Sequence, residues 1–187
     1  VSVVSPSGSE DTTIPLTLTA SVSEVRDTLA ITISGVPAGA SLSVGTNLGG
    51  GVWAIDPDDL ATLAFIPRPN SDADVTLVVT ATETTPEGLI GTTSANLVVV
   101  VDAVVDAPSI SASAATGGED TFITLPIVAT LGDTDGSETM TLTVTGVPTG
   151  ATLSAGTNHG GGIWTVTGAQ TSGLAIRPPS GSEADFT

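Results

Sequence analysis

Gly35-Val36-Pro37-Ala38-Gly39-Ala40-Ser41-Leu42-Ser43 returns as Gly146-Val147-Pro148-Thr149-Gly150-Ala151-Thr152-Leu153-Ser154, 111 residues further along the chain. Gly45-Thr46-Asn47 returns as Gly156-Thr157-Asn158, and Trp53 as Trp164, at the same offset. Ungapped, 35–76 and 146–187 agree at about half of their positions. A repeat of this length is a whole domain, longer than a solenoid unit. The 187 residues therefore read as two domains, expected at 1–105 and 106–187. Repeated domains supply length and spacing, which points away from a single catalytic centre.

Outward from the repeat, period-two alternation of apolar and polar residues predicts strands over 13–22, 28–34, 75–82 and 94–101, with counterparts at 122–131 and 139–145. Glycine and proline punctuate them, and no convincing amphipathic helix is present; 58–65 has room for one turn. The apolar residues are mainly Val, Ala, Leu and Ile among Thr and Ser, with 3% aromatics and no cysteine. That is sheet-forming material able to fill a core. Several short strands in units of about 100 residues predict an all-β chain of two tandem immunoglobulin-like (cadherin-like) β-sandwich domains. Trp53 and Trp164 are expected as equivalent core anchors. The second domain lacks a counterpart of 77–101, because Thr187 aligns with Thr76. It is expected to be truncated at its C-terminus or split, its last strands coming from elsewhere.

Three Lys+Arg face 20 Asp+Glu, a net charge of −17. Nothing would neutralise phosphates, so nucleic acid is excluded as a partner, and an anionic membrane surface would repel the chain. No run is long and apolar enough to insert in a membrane, and no signal peptide opens the sequence. Without cysteine there is no disulfide or thiolate metal site, and a bound cation is the remaining staple for a small secreted domain.

The acidic residues cluster where such a cation would sit. Asp133-Thr134-Asp135-Gly136-Ser137-Glu138 alternates carboxylates around a bend-permitting glycine, in the manner of a calcium loop, but lacks the EF-hand length and flanking helices. In a sandwich this loop faces the linker 101–108, which carries Asp102 and Asp106. At the opposite pole of the first domain lie Glu10 and Asp11, with Asp72 and Asp74. Hard oxygen ligands from these segments predict Ca2+ at the junction, rather than Mg2+, which demands stricter geometry and retains its waters. Glu119, Asp120, Glu183 and Asp185 are expected at the far pole of the second domain, where they would serve a junction with whatever follows. The loop Ser23-Glu24-Val25-Arg26-Asp27 is two residues shorter than its counterpart and reads as a degraded site, Arg26 replacing the ion with a salt bridge. Asp56, Asp58 and Asp59 read as solvated surface.

Gly118-Glu119-Asp120-Thr121, the 133–138 loop, the Gly146 to Ser154 repeat, Gly161-Gly162-Ile163-Trp164, Pro178-Pro179, 182–187 and the linker 101–108 together resemble the extender repeats of very large bacterial RTX adhesins. The resemblance covers nearly the whole chain. It implies Ig-like domains in tandem with Ca2+ at their junctions, type I secretion, and an extracellular place on the bacterial cell surface, in adhesion and biofilm formation. In some such adhesins a ligand-binding domain is inserted within a repeat and splits it, and the end of the second copy at Thr187 fits that arrangement. The expected function is a structural extender projecting a ligand-binding region, a monomer whose partners are neighbouring domains of the same polypeptide. The alternative is a peptide- or sugar-binding module, or a split domain carrying an inserted ligand-binding domain; scarce aromatics weigh against sugar. An enzyme is not expected. The one histidine, His159, stands where the first copy has Leu48, and no serine lies in a nucleophile-elbow motif.

Overall fold

The computed structural model describes residues 1–22, 24–133, 135–182 and 184–186. The chain is all-β, with several sheets and, among the described residues, two short 3-10 helices. It divides into two compact units, Val1–Val104 and Val105–Thr187.

In the first unit Val75–Thr84 and Ile90–Asp102 form a long antiparallel hairpin, in register from Val75 opposite Val99 to Thr84 opposite Ile90. Its turn is closed by the Thr85 N–H donating to the Leu89 carbonyl and the Gly88 N–H donating to the Thr85 carbonyl, both at 2.9 Å. Alternation decides which side faces the core: Leu77, Val79, Leu97 and Val99 are wholly buried. Burying a side chain of this size is worth about 1.5–3 kcal/mol, so a one-residue slip of register would be severely penalised. Thr28–Ser34 pairs with the free edge of Val75–Thr84, followed by Val52–Ile55 and Thr46–Gly49. Ser7–Ser9 runs parallel to the other edge of the hairpin and completes six strands. Ile14–Pro15, Ala64–Ile66 and Ser41–Leu42 form a three-stranded sheet, and Ser2–Val4 pairs with Thr17–Thr19. Phe65, Ile14, Ile31 and Ile33 fill the core with the hairpin.

The second unit repeats these pairings over the repeated sequence. Ile163–Thr167 lies between Thr141–Val144 and Thr157–Gly160, and Val144 faces Trp164 as Ile33 faces Trp53. Ala175–Arg177 lies between Ile123–Thr124 and Thr152–Leu153, and Ser109–Ala112 pairs with Ile127–Thr130. A bulge falls between Asn47 and Gly49 and again between Asn158 and Gly160. Each asparagine Oδ1 accepts the N–H of the residue two further on, at 2.8 Å. The invariance within the repeat at Gly51 and Gly162 has a steric cause. Both have positive φ, and an added Cβ would lie 2.5 Å from the carbonyl oxygen of Val36 or Val147.

Three expectations change in detail. The strands expected over 13–22 and 122–131 are each interrupted, because the chain changes partner there. Leu16 and Leu125 donate to the carbonyls of Leu63 and Leu174, between segments that pair with different strands. The single turn expected within 58–65 is a 3-10 helix, Pro57–Thr62, and Asp56 is its cap, accepting the Asp58 N–H at 3.0 Å, rather than merely solvated surface. Trp164 is buried, whereas Trp53 is half-buried and packs against the edge of its core.

Candidate metal-binding carboxylates

In the first unit the parallel pairing of Ser7–Ser9 with Val100, Val101 and Asp102 delivers Glu10 to the end of the long hairpin. The Glu10 N–H donates to the Asp102 carbonyl at 2.9 Å, and Glu10 Oε1 accepts the Val104 N–H at 2.7 Å. Glu10 is 1% exposed, the most deeply buried charged residue described. Asp74 Oδ1 accepts the Val101 N–H at 2.9 Å. Asp11, with φ of 58°, turns its carboxylate to the Asn70 N–H, also at 2.9 Å, and Asn70 itself has φ of 54°. The acidic segments around 10–11, 72–74 and 102 are thus drawn together, with Asp72 half-buried beside Asp74 and the Asp102 side chain exposed.

In the second unit Asp133 is 2% exposed and organises its own loop. Its Oδ1 accepts the Asp135 N–H at 2.9 Å and its Oδ2 accepts the Ser137 hydroxyl at 3.0 Å, while Asp135 Oδ1 accepts the Ser137 N–H at 2.9 Å. Glu138 Oε1 accepts the Asp106 N–H at 2.8 Å. Glu138 Oε2 is buried without a hydrogen-bond partner among the described residues. Gly132 is required here, since a Cβ would come within 2.8 Å of the Asp106 Cβ.

Ionised carboxylates accept only, and each oxygen holds more lone pairs than these N–H groups use. A buried carboxylate needs a donor or a cation for the remainder. Within each unit a buried carboxylate, Glu10 in the first and Asp133 beside the exposed Asp135 in the second, offers oxygens of metal-ligating chemistry. An all-oxygen set of this kind suits a hard cation.

Glu119, Asp120 and Asp185 are exposed and bond to no other described residue, although they occupy the places of Glu10, Asp11 and Asp74. Asp120 keeps the left-handed backbone of Asp11, with φ of 59°, but the place of Asn70 is taken by Gly181. Glu183 lies outside the described residues. Arg26 is exposed and forms no ion pair among the described residues, so it does not substitute for an ion by a salt bridge. The loop around it gathers negative charge instead. Loss of solvation, a hydrogen bond shared with Glu83, and the charges of Glu83, Glu24 and Glu87 hold the Asp27 carboxyl above its ordinary range. His159 is exposed, its Nε2 2.9 Å from the Thr165 hydroxyl.

Sequence reasoning missed Asn70, Ser137 and the backbone donors of Val101, Val104 and Asp106. Only Ser137 carried a signal, as the hydroxyl after Asp-x-Asp-Gly. No helix among the described residues is long and apolar enough to cross a membrane. The chain matches no family model, no curated protein and no solved structure.

Proposed function

We propose that this chain is a structural extender of a bacterial cell-surface adhesin. Its two units are tandem Ig-like, cadherin-like domains, stiffened by Ca2+ on the carboxylates that flank 101–106, and they hold a ligand-binding region away from the cell. The observation that carries the reading is the treatment of that segment. Val101, Val104 and Asp106 each give their N–H to an acidic side chain of their own unit, Asp74, Glu10 and Glu138. The backbone is thereby fixed by groups whose remaining oxygens suit calcium. Extracellular placement, type I export and the absence of catalysis belong to the same reading. The −17 charge supports it, since a cation would relieve the repulsion among clustered carboxylates.

Small-angle scattering of the 187-residue chain, in calcium and then in chelator, tests stiffening. A longer, more rigid particle in calcium is expected, and identical profiles in both would remove the calcium extender. Calorimetric titration of Asp102→Ala and Asp135→Ala tests the ligands. Weaker calcium binding is expected in each, and unchanged titrations in both would exclude these positions.

A further inference from the structure

Backbone pairing between Thr28–Ser34 and the long hairpin of the first unit ends at Thr28 opposite Thr84. A turn continues past that point from each segment. The first is closed by the Asp27 N–H, which donates to the Glu24 carbonyl at 3.2 Å. The second is the hairpin turn, where the Leu89 N–H also donates to the Thr85 hydroxyl at 3.2 Å. Thr28 ties the two segments loosely, its hydroxyl donating to the Thr84 carbonyl at 3.4 Å. Both segments bring acid to this end of the unit, Glu24 and Asp27 from one, Glu83 and Glu87 from the other. Asp27 and Glu83 are half-buried, and their carboxyl groups are hydrogen-bonded to one another, side chain to side chain.

Ionised carboxylates accept hydrogen bonds and cannot donate them. A bond between two carboxyl groups therefore needs one proton held by the pair. The repeat sharpens the contrast. Glu138 stands at the place of Asp27, 111 residues on, and accepts the backbone N–H of Asp106. Asp27 faces a second carboxyl instead. Arg26, its neighbour in the chain, is exposed and forms no ion pair among the described residues. Loss of solvation, the bond to Glu83, and the charges of Glu83, Glu24 and Glu87 all favour the protonated form of Asp27. We propose that Asp27 and Glu83 form an acid-operated clasp, in which one shared proton ties the 24–27 turn to the long hairpin and its loss releases the turn. Asp27 is held above its ordinary value, so the tie is complete below that value and is lost as pH rises through the raised one. Release has a driving force, because two ionised carboxylates at this distance repel, and Glu24 and Glu87 add to the repulsion. The clasp lies within the first unit and uses none of the carboxylates assigned to calcium.

The test is nuclear magnetic resonance of the full chain in chelator, titrated upward through the carboxylate range from about pH 4 to about pH 8. The side-chain carboxyl signals of Asp27 and Glu83 are expected to titrate as a coupled pair, each reporting the same two steps. Protection of the Asp27 N–H, corrected for the intrinsic pH dependence of exchange, is expected to fall by about threefold or more over the upper step, the order expected for loss of one solvent-accessible hydrogen bond. Glu83→Gln and Asp27→Asn each supply an amide donor that does not titrate, so both should keep the turn protected at every pH, read at the backbone N–H of residue 27. Glu83→Ala removes the partner and should leave the turn equally unprotected at every pH. These results together support the clasp. Independent, single-step titration of the two carboxyls overturns it, as does protection constant with pH in the wild type. A fall of equal size in Glu83→Ala overturns it by assigning the effect to the general charge of this end. Closure by calcium at neutral pH, without closure by acid in chelator, overturns it in favour of a bridging cation.

Discussion

Glu10 offers the sharpest perturbation, because one side chain carries both a structural bond and the proposed calcium chemistry. Replacing it by alanine removes the acceptor of the Val104 N–H, a 2.7 Å bond to a charged group. Bonds of that class contribute about 1.5–3 kcal/mol. Val104 is 40% exposed, so water can reach part of the released backbone, and a loss of about 2 kcal/mol is expected. For a domain of about 100 residues this lowers the melting temperature by roughly 8–16 °C. Glu10→Gln keeps an acceptor and removes a charge that is costly to bury, so in chelator its loss should stay below about 1 kcal/mol. Calcium then separates the two roles. At a free concentration of 100 times Kd, a bound ion adds about 2.7 kcal/mol to the wild type, an increment that both variants should largely lose. The assay is calorimetric melting of all three proteins in chelator and in calcium. Glu10→Ala melting within about 2 °C of wild type in chelator would refute the bond as a staple. A full calcium shift in Glu10→Gln would refute Glu10 as a ligand, and no shift in the wild type would remove calcium itself.

Other perturbations probe features independent of that bond. Asp27→Asn should stabilise the first unit at neutral pH. The folded-state pKa of Asp27 is raised, so its contribution is fully present below the ordinary carboxylate value near 3.8 and is lost as pH rises through the raised value. The difference in melting temperature between variant and wild type should therefore shrink on acidification, and a difference constant with pH would contradict the assignment. Gly51→Ala and Gly162→Ala should each destabilise their own unit by about 1–3 kcal/mol, since left-handed backbone and a carbonyl 2.5 Å away act together; urea unfolding at parental stability would show that the turn adapts. His159→Leu copies the residue of the first unit and should alter stability by less than about 1 kcal/mol, with a larger loss by the same assay pointing to a structural role for the Thr165 contact.

The sequence by itself determined the local and periodic features. Alternation in Val75–Thr84 and Ile90–Asp102 specified the strands and their buried faces, because side chains on a strand alternate whatever their partners. The repeat specified that Val144 and Ile33 occupy like places, and the acidic loop at 133–138 was legible because its ligand types lie within one turn of chain. Tertiary structure decided which identical residues differ. Glu10 and Glu119 stand at matching positions in the sequence, yet one is buried against the backbone of 102–104 and the other is exposed. Likewise Ile14 and Ile123 share a pattern but not a burial. In the first unit the cause is a segment distant in sequence, the long hairpin and its continuation. The burial, hydrogen bonding and charge environment of a residue are properties of what packs against it, which local periodicity does not encode.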